Sequence, residues 1–333
     1  MDKDKLAGLA WGPFIGDALA MPAHWYYDRS ALRRDYGVIR EYVAPKNPHP
    51  DSILWRSQYT TPNGRGDILH DQACYWGRRG IHYHQFLGAG DNTLNLQLAK
   101  VLAESLVARG SYDADDYLER YINFMLTPGE HRDTYVEECH RKFFAAYASG
   151  KAPGKCGGSD IHIGGLAHVG VLCAFLGGDA ESVRAAVREH IHLTHRSKEV
   201  SLAGDALARI LCNVAAGADL REAIFEHGAD WFSRRKAGEW SREPDEVVIG
   251  HRVSPACYIG DAFPASLFLA WKYADDFEPG VIANTNLGGD NCHRGAVLGA
   301  LLGAASGLAR IPERFVGGLN DAARHALRKP APR

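Results

Sequence analysis

Three short polar segments framed by glycine interrupt apolar sequence that otherwise favours helices. They are residues 16–22 (GDALAMP), 90–95 (GDNTLN) and 288–295 (GGDNCHRG). An aspartate just before a helix of small residues places a carboxylate beside free helix-end amides, where a second helix can approach closely. Three such segments, spread over the whole chain, predict helices that converge on one polar site.

The carboxylates of Asp91 and Asp290 are the leading site candidates in these segments. An aspartate before a helix can also act only as its cap. For Asp17 this structural role, beneath the site, is the favoured interpretation. Cys292 stands at the start of a predicted helix, where the helix dipole lowers the pKa of a thiol. The adjacent His293 need not pair with it, because neighbouring residues on a helix do not face each other.

At these residues the chain resembles the ADP-ribosylglycohydrolase family, which also contains the jellyfish J1 crystallins. The family patterns are GDALGxPxE near the N-terminus, TDDT before a long helix, and GGDTDTxGAxxGALxGA near the C-terminus. Weaker similarities lie at residues 193–195 (LTH) and 261–267 (DAFPASL). The likeness follows nearly the whole chain in order. It implies an all-α fold, a single orthogonal helical domain of this type over residues 1–333.

The departures from the family patterns concern its metal ligands. In the family the acidic motifs bind two magnesium ions, and only Asp91 and Asp290 keep their carboxylates here. Three carboxylate positions are replaced by His24, Asn92 and Cys292, and two threonine positions by Gly90 and His293. Magnesium requires oxygen ligands at about 2.1 Å in octahedral geometry. The resemblance therefore predicts no metal, or one divalent ion held by Asp91, Asp290, His24 and His293.

Two mechanisms are compatible with these residues. A single borderline metal such as Zn, Fe, Mn or Co can activate water. Without a metal, which is the favoured alternative because no intact ligand motif remains, a carboxylate acts as general base and a histidine protonates the leaving group. A carboxylate also stabilises an oxocarbenium-like state, and attack by Cys292 is a covalent variant. The predicted catalytic residues are Asp91, Asp290, His24, Cys292 and His293.

Further residues are predicted to bind substrate. The glycine-rich turn at 154–160 can present amides to an anion, although ordinary loops look alike. In the family a glycine-rich stretch near this place contacts ADP-ribose, and a histidine after a helix faces the pocket. The resemblance thus implies substrate contacts from Asn92, Thr93, Gly157, Gly158, Ser159 and His195. His82 and His84 have ligand-like spacing only in an extended segment, and packing is the favoured role for the aromatic residues between Trp25 and Trp76.

Composition excludes several function classes. The chain has 333 residues and a formal net charge of −2, which gives no electrostatic case for nucleic acid or an anionic membrane. Seven cysteines without a CxxC pair favour free thiols in a reducing compartment, the cytoplasm. Pro13 and Asp17 interrupt the N-terminal apolar run, which argues against a signal peptide. The expected partner is a small-molecule substrate, and the oligomeric state is left open.

The elements that must position the candidates are almost all helical. The predicted helices cover residues 94–108, 114–125, 130–148, 180–192, 198–216, 220–232, 261–273, 294–309 and 312–327. Residues 28–90 are rich in Pro, Gly and aromatic residues and predict a long irregular segment. Only residues 38–43 and 247–253 could be extended.

The predicted function is a hydrolase that cleaves an N-glycosidic bond, in ADP-ribosyl or a related small polar molecule, with a centre that departs from the family pattern. One alternative is a catalytically silent binding or structural protein, as the crystallins illustrate. Another is an enzyme of different bond specificity that uses the same pocket. Cysteine and histidine at the replaced positions favour changed chemistry over simple loss.

The first prediction concerns magnesium. Calorimetric titration with magnesium chloride and elemental analysis of the purified protein should find no pair of tightly bound magnesium ions, because three carboxylate positions are lost at His24, Asn92 and Cys292. Two tightly bound hard cations per chain would contradict it.

Overall fold

Helices account for nearly all regular structure in the computed structural model, which describes residues 2–177, 179–320, 324 and 327. The helices are α1 (Lys3–Ala20), α2 (Arg29–Tyr36), α3 (Leu94–Arg109), α4 (Ala114–Leu126), α5 (Glu138–Ala148), α6 (Val169–Leu176), α7 (Ala180–Thr194), α8 (Lys198–Ala215), α9 (Leu220–His227), α10 (Arg234–Trp240), α11 (Asp245–Val247), α12 (Ile259–Lys272), α13 (Phe277–Leu287), α14 (Asn291–Ser306) and α15 (Glu313–Gly318). Within these ranges β-structure is confined to three isolated bridges. The all-α prediction is confirmed.

The backbones of α1 and α14 touch along two rows of glycine. Gly12 faces Gly299, and a Cβ added to Gly12 would lie 1.9 Å from the Gly299 carbonyl oxygen. Gly8 meets Gly303 and Gly16 meets Gly295 in the same way, so the two helices run antiparallel. Any side chain at these positions would force the helices apart. The C-terminal end of α1 therefore lies beside the N-terminal end of α14.

Other helices enclose this pair. α6, α8, α12 and α13 pack against α1, α14 or both, and the inner faces of the helices form one continuous cluster of buried apolar residues. The turn from α13 into α14 is fixed by Arg294, which is fully buried. Its guanidinium donates to the Asn284 side chain at 2.7 Å and to the Gly288 carbonyl at 2.8 Å.

The segment from residue 28 to 90 is largely irregular, as predicted. The exceptions are three 3₁₀ turns, at Leu54–Arg56, Gly64–Gly66 and His70–Tyr75, and helix α2. Asp28 caps α2 by accepting from the amides of Ser30 and Ala31 at 2.8 and 3.2 Å. Neither piece expected to be extended forms a strand, and residues 245–252 fold into short helical turns. No helix in the described ranges is long and apolar enough to cross a bilayer. That the chain forms a single domain stays a prediction.

Most predicted helices are present, and three bounds need correction. The helix expected at 130–148 begins only at Glu138, because Thr127 ends α4 and Gly129 turns the chain at φ +89°. The helix expected at 220–232 ends at His227. Of the helix expected at 312–327, the structure contains α15, and residues 321–323, 325 and 326 lie outside the described ranges.

The second prediction tests the glycine contact. Gly299→Ala should lower the melting temperature and cost about 2 kcal/mol of unfolding free energy, because its Cβ would lie 2.0 Å from the Gly12 carbonyl oxygen. Gly238→Ala in α10 is the matched control, since its Cβ would meet no atom within 4 Å. The control should be neutral or stabilising by up to about 1 kcal/mol. Equal melting temperatures for the two variants would contradict the packing argument.

Candidate functional site

His24 and Asp290 meet where the chain leaves α1 and enters α14. After α1 a 3₁₀ turn over Met21–Ala23 leads to His24 and to Trp25, whose φ is +61°. The Trp25 amide donates to the Gly289 carbonyl at 2.8 Å, and the Gly289 amide donates to Tyr26 at 2.7 Å. This reciprocal pair holds the backbone before α14 against the backbone after α1. Positive φ at a tryptophan is strained, and such strain is found at functional sites.

A buried carboxylate joins two histidines in this corner. Asp290 Oδ1 lies 3.0 Å from His24 Nε2 and 2.7 Å from His293 Nδ1. All three side chains are shielded from solvent. The other ring nitrogen of His293, Nε2, lies 2.9 Å from Glu137 Oε1. His293 therefore bridges a fully buried carboxylate and one that is closer to the surface.

The network continues in the opposite direction from His24. His24 Nδ1 lies 2.7 Å from His84 Nε2, and His84 Nδ1 pairs with a carboxylate oxygen of Asp133. The second oxygen of Asp133 accepts the amide of Leu94 at the start of α3. We call the six side chains in this order the His–carboxylate chain: Asp133, His84, His24, Asp290, His293 and Glu137.

The number of N–H hydrogens that the imidazoles must donate determines the charges in the His–carboxylate chain. With its carboxylates ionised, His293 must donate from both nitrogens and is an imidazolium. In the His24–His84 pair, His24 Nε2 must donate to Asp290 and His84 Nδ1 must donate to Asp133, while one further hydrogen lies between the two rings. Two imidazoles that carry three N–H hydrogens have one positive charge between them. Two positive charges are thus interleaved with three carboxylates.

The pKa directions agree with this assignment. Burial opposes the charge on His293, but the attraction of Asp290 and Glu137 outweighs it and raises the His293 pKa well above its ordinary value. Burial likewise opposes the negative charge on Asp290 and on Glu137. Attraction to His293 outweighs burial at Glu137 and lowers its pKa to about 2. Attraction to His293 and His24 lowers the pKa of Asp290. Burial, the largest effect, lowers the pKa of His24 to about 3, although its hydrogen bond to Asp290 opposes this.

Asp17 organises the second polar segment from beneath the site. Its buried carboxylate accepts from the Asn92 side chain at 2.8 Å, and from the amide and hydroxyl of Thr93 at 2.9 and 2.7 Å. Burial raises the pKa of Asp17 to about 6, although these bonds favour its charged form. The structural role expected for Asp17 fits these contacts. Asn92 and Thr93, predicted to bind substrate, hold the start of α3 against α1.

The structure does not bring Asp91 into the His–carboxylate chain. Its carboxylate accepts from the Gly88 amide and the Asn320 side chain, both at 2.8 Å, and lies 3.6 Å from Arg132. Because the side chains of Asn92 and Thr93 turn inward to Asp17, the side chain of Asp91 faces the loop that contains Gly88. The catalytic and metal-binding roles expected for Asp91 lack geometric support.

Cys292 is close to the two linked histidines but sealed off. Its thiol packs among Ala20, Met21 and Leu87 and lies 3.8 Å from the Asp17 carbonyl. Burial raises the pKa of the Cys292 thiol well above its ordinary value, opposite to the lowering expected from the helix start. The low dielectric around the thiol outweighs the helix dipole, which leaves Cys292 a poor nucleophile.

Some side chains of the His–carboxylate chain lie close enough together to hold a metal ion. In the described ranges two groups bring three ligand atoms within 4.8 Å of one another: His24, Asp290 and His293, and His24, His84 and Cys292. Each offers one carboxylate at most, which does not fit two magnesium ions. Nitrogen donors with one carboxylate fit a single borderline divalent ion, and Asp290 Oδ2 is buried without a partner among the described residues.

A cleft of ≈ 380 Å³ opens beside one end of the His–carboxylate chain. Its aromatic lining is Trp25, Tyr27, Tyr83, Tyr135 and Tyr258. Its polar lining includes Arg56, Glu137, Glu138, His162 and His293. Trp25 is fixed by a stacked contact with His24, with ring centroids 4.0 Å apart, and by edge contacts with Tyr83 and Tyr135. Some of the aromatic residues expected only to pack therefore shape a concave, polar-rimmed surface suited to a small ligand.

Comparison with known proteins places this architecture. The family model described as ADP-ribosylglycohydrolase matches residues 1–331. The chain belongs to the ADP-ribosylglycohydrolase family. A solved structure titled "ADP-ribosylglycohydrolase-related protein complex" is similar with a TM-score of 0.65 and 22% identity, covering 98% of this chain and 96% of that one, which shows a shared fold. No curated protein sequence matches significantly.

This family consists of hydrolases that usually depend on a metal. Where the predicted site residues lie in this chain follows from the geometry described above. The structure brings together three of the predicted catalytic residues, His24, Asp290 and His293. Of all the predicted catalytic and substrate-binding residues, His293 is the one that lines the cleft in the described part of the chain. Gly157, Gly158 and Ser159 instead pack beside the end of α7 and against Lys142, whose ammonium donates to the Ser159 carbonyl. His195 lines a separate internal cavity of ≈ 20 Å³.

Sequence reasoning missed Asp133 and Glu137 and gave His84 little weight. Both carboxylates fall in residues 130–137, which were predicted to be helical and are irregular. The Pro128–Gly129 pair before them was the signal available for a break. For His84 the available signal was its ligand-like spacing from His82, although residues 83–86 form a turn and not an extended segment.

The third prediction concerns Glu137 and pH. Glu137→Gln should lower the unfolding free energy by roughly 1–3 kcal/mol at neutral pH, because it removes a charged hydrogen bond to His293. The pKa of Glu137 is lowered from 4.5 to about 2, so its stabilisation is present above pH 4.5 and lost as pH falls towards 2. The difference from wild type in denaturant unfolding should shrink over that window.

Glu138→Gln is the matched control for this experiment. Its carboxylate is 46% exposed and pairs with Lys142 at 2.8 Å. We expect a change within about 0.5 kcal/mol. A Glu137→Gln penalty that is constant from neutral pH to pH 2 would show that the carboxylate is not held charged by His293.

Proposed function

We propose that the chain hydrolyses the N-glycosidic bond of an ADP-ribosyl or related small polar molecule in the aromatic cleft. The observation that carries this proposal is the position of Glu137. Its carboxylate lines the cleft and is bonded at 2.9 Å to His293, which is backed by Asp290. A charged carboxylate at the wall of a partly desolvated cleft is suited to stabilise a developing cation.

Glu137 acts on the sugar in this proposal. Departure of the leaving group gives the anomeric carbon oxocarbenium character, which the Glu137 carboxylate stabilises. Glu138, which lines the same cleft, takes the proton of the attacking water. A carboxylate with a pKa of about 2 is a weak base, which is why the electrostatic role is assigned to Glu137 and the base role to its neighbour.

His293 supplies the proton for the leaving group. Its proton is held by attraction to Asp290 and Glu137. As positive charge develops on the sugar, the attraction of Glu137 is shared with the substrate, so the His293 proton is released more easily. The His24–His84 pair and Asp133 lie behind it and keep the Asp290 carboxylate in place. A divalent ion bound by His24, Asp290 and His293 would supply a more acidic water.

The rest of the cleft supports the substrate class. The exposed rings of Tyr27 and Tyr258 line the cleft and offer flat faces to a base or sugar. Arg56 brings a permanent cation to the rim, where a phosphate of an ADP-ribosyl group would bind favourably.

The fourth prediction tests this assignment. Glu137→Gln should reduce hydrolysis of a panel of ADP-ribosyl and nucleoside substrates by about 100-fold or more, because the amide cannot balance an oxocarbenium charge. Product release would be followed by chromatography. Glu119→Gln on the exposed face of α4 is the control and should keep wild-type rates. Wild-type protein that binds these compounds without cleaving any of them would favour a silent binding protein instead.

The Asp91→Asn variant tests whether Asp91, the catalytic carboxylate expected from the sequence, is needed in place of Glu137. Its oxygen can still accept from the Gly88 amide, so we expect a much smaller loss than for Glu137→Gln. If Asp91→Asn removes activity and Glu137→Gln does not, Glu137 is not the catalytic carboxylate.

A further inference from the structure

We propose that His24, His84 and Cys292 bind one zinc ion in the corner between the end of α1 and the start of α14. Each of these residues offers one ligand atom, and the three atoms lie within 4.8 Å of one another. All three side chains are buried, and none of them is among the residues that line the aromatic cleft. The proposal therefore does not depend on glycosidic cleavage.

The two imidazoles face each other with one nitrogen each. His24 Nδ1 lies 2.7 Å from His84 Nε2, and the two ring planes are parallel to within 1°. Two ring nitrogens can form such a contact only with a hydrogen between them, because otherwise two lone pairs would meet. A metal ion binds neutral imidazole nitrogens and would take the place of that hydrogen.

A carboxylate lies behind each of the two histidines. His24 Nε2 is 3.0 Å from Asp290 Oδ1, and His84 Nδ1 pairs with Asp133. Histidine ligands of zinc almost always donate their second N–H to a carboxylate, a carbonyl or water, which fixes the tautomer and makes the ligand nitrogen more basic. Both histidines thus already have the tautomer and the ring orientation that a metal ligand needs.

Two neighbouring histidines show by contrast why this pair is special. His49 Nε2 lies 3.0 Å from the His24 carbonyl, and the other His49 nitrogen accepts a backbone amide. His82 Nε2 lies 3.1 Å from the Pro22 carbonyl, and His82 Nδ1 accepts the His84 amide at 3.1 Å. Backbone groups satisfy both nitrogens of these two rings, which leaves no lone pair for an ion.

Cys292 supplies the third ligand and the charge balance. Binding of one divalent ion releases the hydrogen between the rings and the thiol hydrogen, so two positive charges leave and two arrive. The net charge that Asp290 and Asp133 balance is therefore unchanged. Burial raises the pKa of the free Cys292 thiol, but a metal ion deprotonates a thiol that it binds. One sulfur and two nitrogens favour zinc over magnesium, which requires oxygen ligands.

The group formed by His24, Asp290 and His293 is an alternative place for a single ion. It would use Nε2 of His24, which bonds to Asp290, whereas the site proposed here uses Nδ1, which faces His84. One ion at each place would require an imidazolate at His24, so the two groups exclude each other. Sulfur among the ligands distinguishes them, because only the proposed site contains a thiol.

The fifth prediction concerns the ion itself. Untagged protein expressed with zinc and dialysed against magnesium chloride should retain about one zinc ion per chain by elemental analysis. X-ray absorption at the zinc edge should show one sulfur ligand at about 2.3 Å and nitrogen ligands at about 2.0–2.1 Å. Because the ligands are buried, zinc-free folded protein should take up zinc only after unfolding and refolding. Protein that retains no zinc, or zinc without a sulfur ligand, would overturn the proposal.

Variants of the cysteines identify the sulfur ligand. Protein expressed with cobalt in place of zinc should show a sulfur-to-cobalt charge-transfer band in the near ultraviolet. Cys292→Ser should lose this band. Cys139→Ser, which changes another buried free thiol, is the matched control and should keep it. A band that survives in folded Cys292→Ser, or folded His293→Gln that no longer retains zinc, would place the ion elsewhere and contradict the proposed ligands.

Asp133→Asn tests the carboxylate behind His84. An amide can donate to His84 Nδ1, which would move the ring hydrogen to the ligand nitrogen Nε2. We expect zinc affinity to fall roughly 10–100-fold, measured by refolding with zinc buffered by a chelator. Asp133→Glu should recover part of the affinity, whereas equal affinities for wild type and Asp133→Asn would contradict the role of this carboxylate. Glu137→Gln should retain zinc, so loss of glycosidic activity and loss of the ion can be distinguished.

Discussion

The backbone contact between α1 and α14 is the constraint on which the rest of the structure depends. Gly12 and Gly299 touch so closely that a single added carbon would lie 1.9–2.0 Å from a carbonyl oxygen. Because the helices are antiparallel, the chain leaving α1 emerges where α14 begins. His24 and Asp290, 266 positions apart, can therefore bond at 3.0 Å. Helices held further apart by side chains would separate the two residues.

Burial of so many charges beside this contact is possible because they alternate in sign. An unpaired buried charge would cost several kcal/mol, whereas each carboxylate here faces an imidazole and each imidazole faces at least one carboxylate. The pairing also fixes the surface end of the network. Glu137 reaches the cleft with its charge held by His293, which is in turn bonded to the buried Asp290.

The resemblance in sequence located much of the buried site and little of the cleft. His24, Asp290 and His293 were predicted to share one place, and they do, because their motifs flank the α1–α14 contact. Asp91 was included on the same grounds, yet its carboxylate caps an outer loop while Asp17 takes Asn92 and Thr93. Cys292 lies near His24 and His84, and burial reverses the effect that the helix start was expected to have on the pKa of its thiol.

The sequence by itself predicted most of the longer helices after residue 93 and contains the glycine spacing of four that lets two helices touch, since these depend on residues close together along the chain. Only the tertiary structure decided which side chains complete the site. Glu137 meets His293 across 156 positions, and Asp133 meets His84 across 49, from a stretch without helical period. Such pairs depend on how helices and loops pack, and local residue patterns do not encode those distances.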